Sequence, residues 1–214
     1  MTDERSRRYK EKLDKESAEF TALYSILKKM VKSEENIIHA RGAFRKKWLE
    51  VGSLETHRSL SMSFNCYATS LDGIDRAHRD SVIHLKTVVQ EALKAYPVKI
   101  KDQRRSLSVK ERADKEMMQS VKTLNKIQER PDSRDIKPEE IHRASTNVLD
   151  KDKAVQDANL KLEKSIRENE KAHVTDLKYM LSHLINAEMH YHAAVINCFS
   201  EAVREISRID PDKE

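Results

Sequence analysis

Apolar residues recur along this chain at spacings of three, four and seven over most of its length. The first run is Leu13, Phe20, Tyr24, Leu27, Val31, Ile38, Phe44 and Trp48. The second is Leu60, Phe64, Tyr67, Leu71, Ile74, His78, Val82, Leu85, Val89, Ala92 and Tyr96. The third passes from Ile141 through Leu162, Ile166, Leu177 and Leu184 to Phe199 and Ile206. Such spacings put one apolar stripe on a helix, whereas a half-buried strand would alternate at every second residue. The pattern therefore predicts three helices, over about residues 5–51, 54–130 and 138–209, in one domain spanning 1–214. Gly52 is expected to cap the end of the first helix and Ser53 the start of the second. Pro97 falls inside a seam that resumes at Ile100, Leu107, Val121 and Leu124, which predicts a kink, since proline removes one backbone bond and clashes with the preceding turn. Gly73 lies within the second run, at a cost of about 1 kcal/mol against alanine.

Helices of that length would each reach on the order of 70–110 Å. Composition agrees with long rods. Three glycines and four prolines are too few for the turns of a sheet protein, and 36% charged against 38% hydrophobic residues suits thin seams with solvated faces. The seams are widest at Phe20–Trp48, Leu60–Tyr96 and Leu177–Ile206, too wide for three helices alone. Between about residues 100 and 170 they thin, with Gln103, Lys110, Asp114, Asp152, Asn159 and Asn169 in or beside them. The expectation is an all-α chain of three long, kinked, antiparallel helices that pairs with a second copy through its wide parts, as an elongated coiled-coil homodimer. The residues expected at that interface are Phe20, Leu27, Phe44, Trp48, Phe64, Leu71, Leu184, Met189 and Phe199.

Several segments, in order along the chain, carry a family resemblance. They are Glu55-Thr56-His57, Glu91-Ala92-Leu93-Lys94-Ala95-Tyr96, Gln128-Glu129-Arg130-Pro131-Asp132-Ser133-Arg134 and Ile185-Asn186-Ala187-Glu188-Met189-His190-Tyr191-His192. Together they resemble the Chibby-interacting BAR family over roughly residues 20–210. The resemblance implies a homodimeric BAR fold, binding to acidic phospholipid membranes and recruitment by the coiled-coil protein Chibby. It also implies work at the ciliary base or centriole, with a mitochondrial membrane role associated with the family as well. Family members usually continue into a polar tail, and no tail function is carried over.

Charge changes the picture in one place. The formal net charge is only +5, but one face of the second helix collects cations. The positions are Lys94, Val98, Lys101, Arg105, Ser108, Arg112, Lys115, Gln119, Lys122 and Lys126, of which seven of ten are basic and none acidic. Asp102, Glu111 and Glu116 are expected on flanking faces. Arg130, Arg134 and Lys137 add to it at the expected turn. Such a stripe suits anionic headgroups, each cation contributing about 1 kcal/mol near the surface. It equally suits a solvated face or one paired with acids on the third helix. It has no interleaved aromatics, so no nucleic-acid partner is expected.

The N-terminal residues carry no secretory signal and no inserting amphipathic face, and no apolar run is long enough to span a bilayer, so a cytoplasmic, peripheral protein is expected. Cys66 and Cys198 are expected as reduced, buried thiols. Glu139-x-x-His142 and Glu170-x-x-His173 have a di-metal spacing but lie on one helix, far apart. Of Glu188, His190 and His192 only the outer two share a face, and His78 and His173 are expected as hydrogen-bonded interior groups. No catalytic residue, metal or cofactor is expected, and no enzyme.

Overall fold

The computed structural model describes residues 3–129 and 137–210, which form α1 (Asp3–Leu54), α2 (Arg58–His84), α3 (Glu91–Gln128) and α4 (Pro138–Ile206). Among the described residues there is no strand. A π-helical turn, Leu85–Gln90, joins α2 to α3 with its entry residue at φ −58° and ψ −40°, so Arg58–Gln128 is one right-handed run. The three periodic stretches are thus three helical runs. Pro97, where a kink was expected, lies inside α3; the described departure from α geometry is the π turn upstream of it.

The join between α1 and α2 differs from expectation. Gly52 sits within α1, and no glycine takes a positive φ, so it does not cap the helix. Its use is steric: a Cβ there would meet the Phe64 Cβ at 3.0 Å. Ser53 is no cap for α2 either, since its hydroxyl donates to the Glu50 carbonyl at 2.7 Å. The N-cap position of α2 is His57, at φ −79° and ψ 117°, and its backbone N–H donates to the Glu55 carboxylate at 2.9 Å. That N–H, with the His57 ring, holds the Glu55 carboxyl below its ordinary value. Ser61 Oγ closes the turn by donating to the Gly52 carbonyl at 2.8 Å.

The chain divides into two compact units, residues 1–19 with 96–175 and residues 20–95 with 176–214. The first has a sparse core. Leu13, Ile100, Leu107, Ile127, Ala158, Leu162 and Ile166 are buried, and polar groups fill much of the rest. Gln103 accepts from the Tyr9 hydroxyl at 3.2 Å and the Ser165 hydroxyl at 3.0 Å, while buried Lys110 pairs with Asp114. Burial pushes the Tyr9 phenol up to about 12. Tyr96 and His173 are hydrogen-bond partners, so His173 is hydrogen-bonded as expected, but it is half-buried and not interior.

The second unit buries Leu27, Val31, Ile38, Leu71, Ile74, Val82, Leu85, Val89, Leu93, Met180 and Ala187. Gly73 lets α2 and α4 approach closely: a Cβ there would meet Cys198 Sγ at 2.8 Å. Cys66 and Cys198 are free and half-buried rather than buried; burial, then Glu205 and Glu201, pushes the Cys66 thiol up.

At the centre of this unit lies a charged network. Arg41 of α1 donates to Asp75 Oδ1 of α2 at 3.1 Å and to Tyr191 Oη of α4 at 3.4 Å. The same guanidinium sits 3.3 Å from His78 Nδ1, and His78 Nε2 lies 2.9 Å from a Glu34 carboxylate oxygen. The His78 and Tyr191 rings stack at 4.4 Å. Asp75 is only 1% exposed, so its charge stands inside the protein on the strength of Arg41. A neutral imidazole with its proton on Nε2 satisfies both neighbours, accepting from Arg41 and donating to Glu34. Burial lowers the His78 pKa below its ordinary 6.5, with the Glu34 carboxylate opposing and Arg41 adding to it.

Two outcomes follow from this network. Arg41→Leu leaves Asp75 buried and unpaired, and its unfolding free energy falls by about 3 kcal/mol or more in urea titrations. The double replacement Arg41→Leu/Asp75→Leu recovers much of that loss; a single variant as stable as the parent would remove the pair from the fold's support. Because the folded pKa of His78 is depressed, its contribution is fully present above 6.5 and is lost as pH falls through the lower, folded value. Thermal melts of the parent and His78→Gln should therefore converge in acid, and parallel pH profiles would contradict the assignment.

Candidate functional site

Two surfaces stand out. The first is the cationic stripe of α3. Lys94, Lys101, Arg105, Arg112, Lys115, Lys122 and Lys126 are all exposed. Six of these, Lys101 to Lys126, lie in the unit with the sparse core and run roughly 38 Å along the helix; Lys94 belongs to the other unit. The acids expected on flanking faces reach the stripe in part. Asp102 lies 3.4 Å from Arg105, Glu116 lies 3.0 Å from Arg112, and Glu91 lies 3.4 Å from Lys94. The reason is helical geometry, since residues three or four apart are neighbours. Glu116 also reaches Lys151 of α4 at 2.8 Å, and these two cations hold its carboxyl below the ordinary range.

Lys101, Lys115, Lys122 and Lys126 have no carboxylate partner among the described residues. Of the other cations of α3, Arg104 pairs with Asp14 at 2.6 Å and buried Lys110 pairs with Asp114, while Lys99 is exposed. Lys137 is exposed just before α4, while Arg130 and Arg134 lie outside the described residues.

The second surface is apolar and lies on α1 and α4 in the wider unit. Leu23, Ile26, Met30, Ile37 and Phe44 follow one another at threes, fours and sevens on α1, all at least 37% exposed. Leu181, Ile185, Met189, Ile196 and Val203 do the same on α4, at 55% or more. Between them Phe20, Leu23, Leu27, Leu93, Leu177 and Leu181 help line a groove of about 430 Å³ that is almost wholly apolar.

Of the residues expected at a dimer interface, Phe44, Met189 and Phe199 are exposed on or beside these stripes, and Leu184 is half-buried. Phe20, Leu27 and Leu71 are instead buried by the chain's own helices. Trp48 and Phe64 are half-buried in an aromatic cluster, with ring centroids 5.2 Å apart and Tyr67 5.7 Å from Trp48.

Groups that suggested metal chemistry are dispersed. Glu170 pairs with Lys12 at 3.5 Å, and Glu188 with His192 at 3.6 Å, one turn apart on the apolar side of α4. His190 lines a different cavity, beside a His84–His183 pair joined at 3.0 Å that the sequence pattern did not single out. Among the described residues no three His, Cys, Asp or Glu side chains are grouped to hold a metal ion. No described helix is long and apolar enough to cross a membrane.

Comparison with known proteins gives this arrangement a family. Two relatives named CBY1-interacting BAR domain-containing protein 1 are similar in sequence. The Mus musculus protein is 28% identical over 163 residues, 73% of this chain and 54% of its own. The Danio rerio protein is 25% identical over 158 residues, 72% of this chain and 51% of its own. The chain thus spans about half the length of the curated relatives it matches. Among solved structures, the F-BAR domain of Hof1p aligns with TM-score 0.60 at 13% identity, over 94% of this chain and 86% of that one. The N-terminal I-BAR domain of D. discoideum IBARa aligns with TM-score 0.58 at 14% identity, over 89% and 82%. The helical layout is that of a BAR fold. Matching the family described as FAM92 protein over residues 8–214, the chain belongs to the FAM92 family, and its fold is that of a BAR domain.

Proposed function

We propose that this chain is a non-enzymatic scaffold that works on the surface of acidic membranes as a homodimer. Two copies join through the apolar stripes of α1 and α4, and the cations of α3 rest on phospholipid headgroups. The observation that carries the membrane reading is the exposure of all seven stripe cations, four of them without a carboxylate partner among the described residues. Cations held out in water without partners are available to an anionic surface, and about 1 kcal/mol for each is enough, summed over two copies, for reversible attachment. The exposed intrahelical pairs do not cancel this, because such pairs contribute at most about 1 kcal/mol and are easily exchanged for another anion.

Dimerisation is supported by the apolar stripes, which a lone soluble chain would not leave in water. Only the exposed residues of the expected interface enter this reading; Phe20, Leu27 and Leu71 serve the chain's own core. The names of the relatives support a Chibby-type coiled-coil partner, and with it a place at the ciliary base.

Co-sedimentation with vesicles of phosphatidylcholine and phosphatidylserine tests the membrane reading. Lys101→Glu/Lys115→Glu/Lys122→Glu should lose binding by at least about a hundredfold at low salt, and the parent should release as salt rises. Undiminished binding by this variant would sink the stripe's role. If the parent ignores lipid but binds a coiled-coil partner tightly, the chain is a protein adaptor instead. For the dimer, Ile185→Glu/Met189→Glu should sediment as one chain where the parent sediments as two, and unchanged sedimentation would move the interface elsewhere.

A further inference from the structure

We propose that Ser108 is a phosphorylation site and that its phosphate turns the α3 stripe off. The inference rests on the membrane reading of that stripe and adds its regulation. Ser108 occupies a stripe position, three residues after Arg105 and four before Arg112. Its side chain is exposed and has no hydrogen-bond partner among the described residues. Ser106, Ser120 and Thr123 on the same helix all donate their hydroxyls to carbonyls one turn back. Arg104-Arg105-Ser106-Leu107-Ser108 places two arginines three and four residues before the hydroxyl. That is the charge pattern a kinase with an acidic substrate cleft selects.

A kinase cleft takes extended chain, so α3 must open locally to present Ser108. The packing allows it. The stretch a cleft must take, Arg104 to Arg112, has one buried apolar side chain, Leu107, and one buried polar one, Lys110, and between there and Ile127 no further apolar side chain is buried. A segment with so little apolar anchorage opens at low free energy. In the transfer, Ser108 Oγ forms a bond to the γ-phosphorus of ATP as the bond to ADP breaks, and the hydroxyl proton passes to the kinase's base.

Once the helix reforms, the phosphate brings a charge of about −1.5 to −2 between two guanidinium groups one turn away on either side. Arginine takes phosphate in a bidentate grip that outcompetes exposed carboxylates. Arg105 and Arg112 then turn from Asp102 and Glu116 to the phosphate. The middle of the stripe becomes self-neutralised and no longer attracts headgroups.

The test treats the folded full chain with a kinase selective for arginine three residues upstream, plus ATP. Mass spectrometry then locates the phosphate. Untreated and treated protein are compared on phosphatidylserine–phosphatidylcholine vesicles, with Ser108→Ala carried through the same steps. Phosphate on Ser108, binding weakened about ten- to thirtyfold, and Ser108→Ala binding unmoved by the kinase are expected. Phosphate only on Ser106 or elsewhere, or none on the folded chain, overturns the proposal. Phospho-protein that binds as well as the untreated chain overturns the switch while leaving the membrane reading intact. An untreated chain that ignores these vesicles overturns both.

Discussion

A carboxylate that is 1% exposed in a helical interior has to be matched, and the way Asp75 is matched organises the wider unit of this protein. An unpaired charge there would cost several kcal/mol, so the three helices that share its network have one acceptable register, the one that brings Arg41 to it. Arg41 and Glu34 are two turns apart on α1, and Asp75 and His78 are one turn apart on α2. Each pair faces the other, and Tyr191 closes the set from α4. Apolar contacts alone would tolerate a slide of one turn along such seams. The network does not, because a slide strands both a carboxylate and a guanidinium.

Fixing that register also fixes what is left outside. With Leu27, Val31 and Ile38 turned inward by α1, residues such as Leu23, Ile26, Met30 and Ile37 have no inner partner and form a second stripe. The same holds on α4, where Met180 and Ala187 point inward and Leu181, Ile185 and Met189 do not. An apolar run wide enough for two faces of one helix is a run that serves two partners. The narrow unit does the opposite. Its helices bury few apolar side chains and satisfy the remainder with Gln103, Lys110 and Ser165, so most of the surface of α3 is free to carry charge.

Much of this was legible in the sequence, for definite reasons. A helix repeats its face every few residues, so the seams and their change of width show directly, and the polar positions near Gln103 and Lys110 mark the thin core. The exposure of the α3 stripe followed from the same periodicity. Asp75 was overlooked because a charged residue in a mixed-charge helix reads as surface; only the arrival of Arg41 from another helix makes it interior. Gly52 and Gly73 were read through backbone conformation, as a cap and a weak point, when both act through space on Phe64 and Cys198. The division of the expected interface into buried Phe20, Leu27 and Leu71 and exposed Phe44, Met189 and Phe199 turns on which side of a wide seam each faces. One helix's pattern cannot decide that, since both sides look equally apolar.

The carboxylates beside the stripe limit how it can work. If every cation of α3 carried a neighbouring acid at three or four residues, the helix would be a dipolar surface with little long-range field, and headgroups would have to displace each acid in turn. If none did, mutual repulsion among cations one turn apart would weigh against the helix itself. The observed arrangement lies between these. Arg105 and Arg112, at the middle, are moderated by Asp102 and Glu116, while Lys101 and the Lys115–Lys126 series keep their charge outward. Along Lys101–Lys126 a field built this way is strongest on either side of Arg105 and Arg112 and most easily altered between them, since a small change there decides whether the two sides act as one surface. That is why the middle of the stripe, and not its termini, is the place from which its attraction for an anionic layer can be controlled.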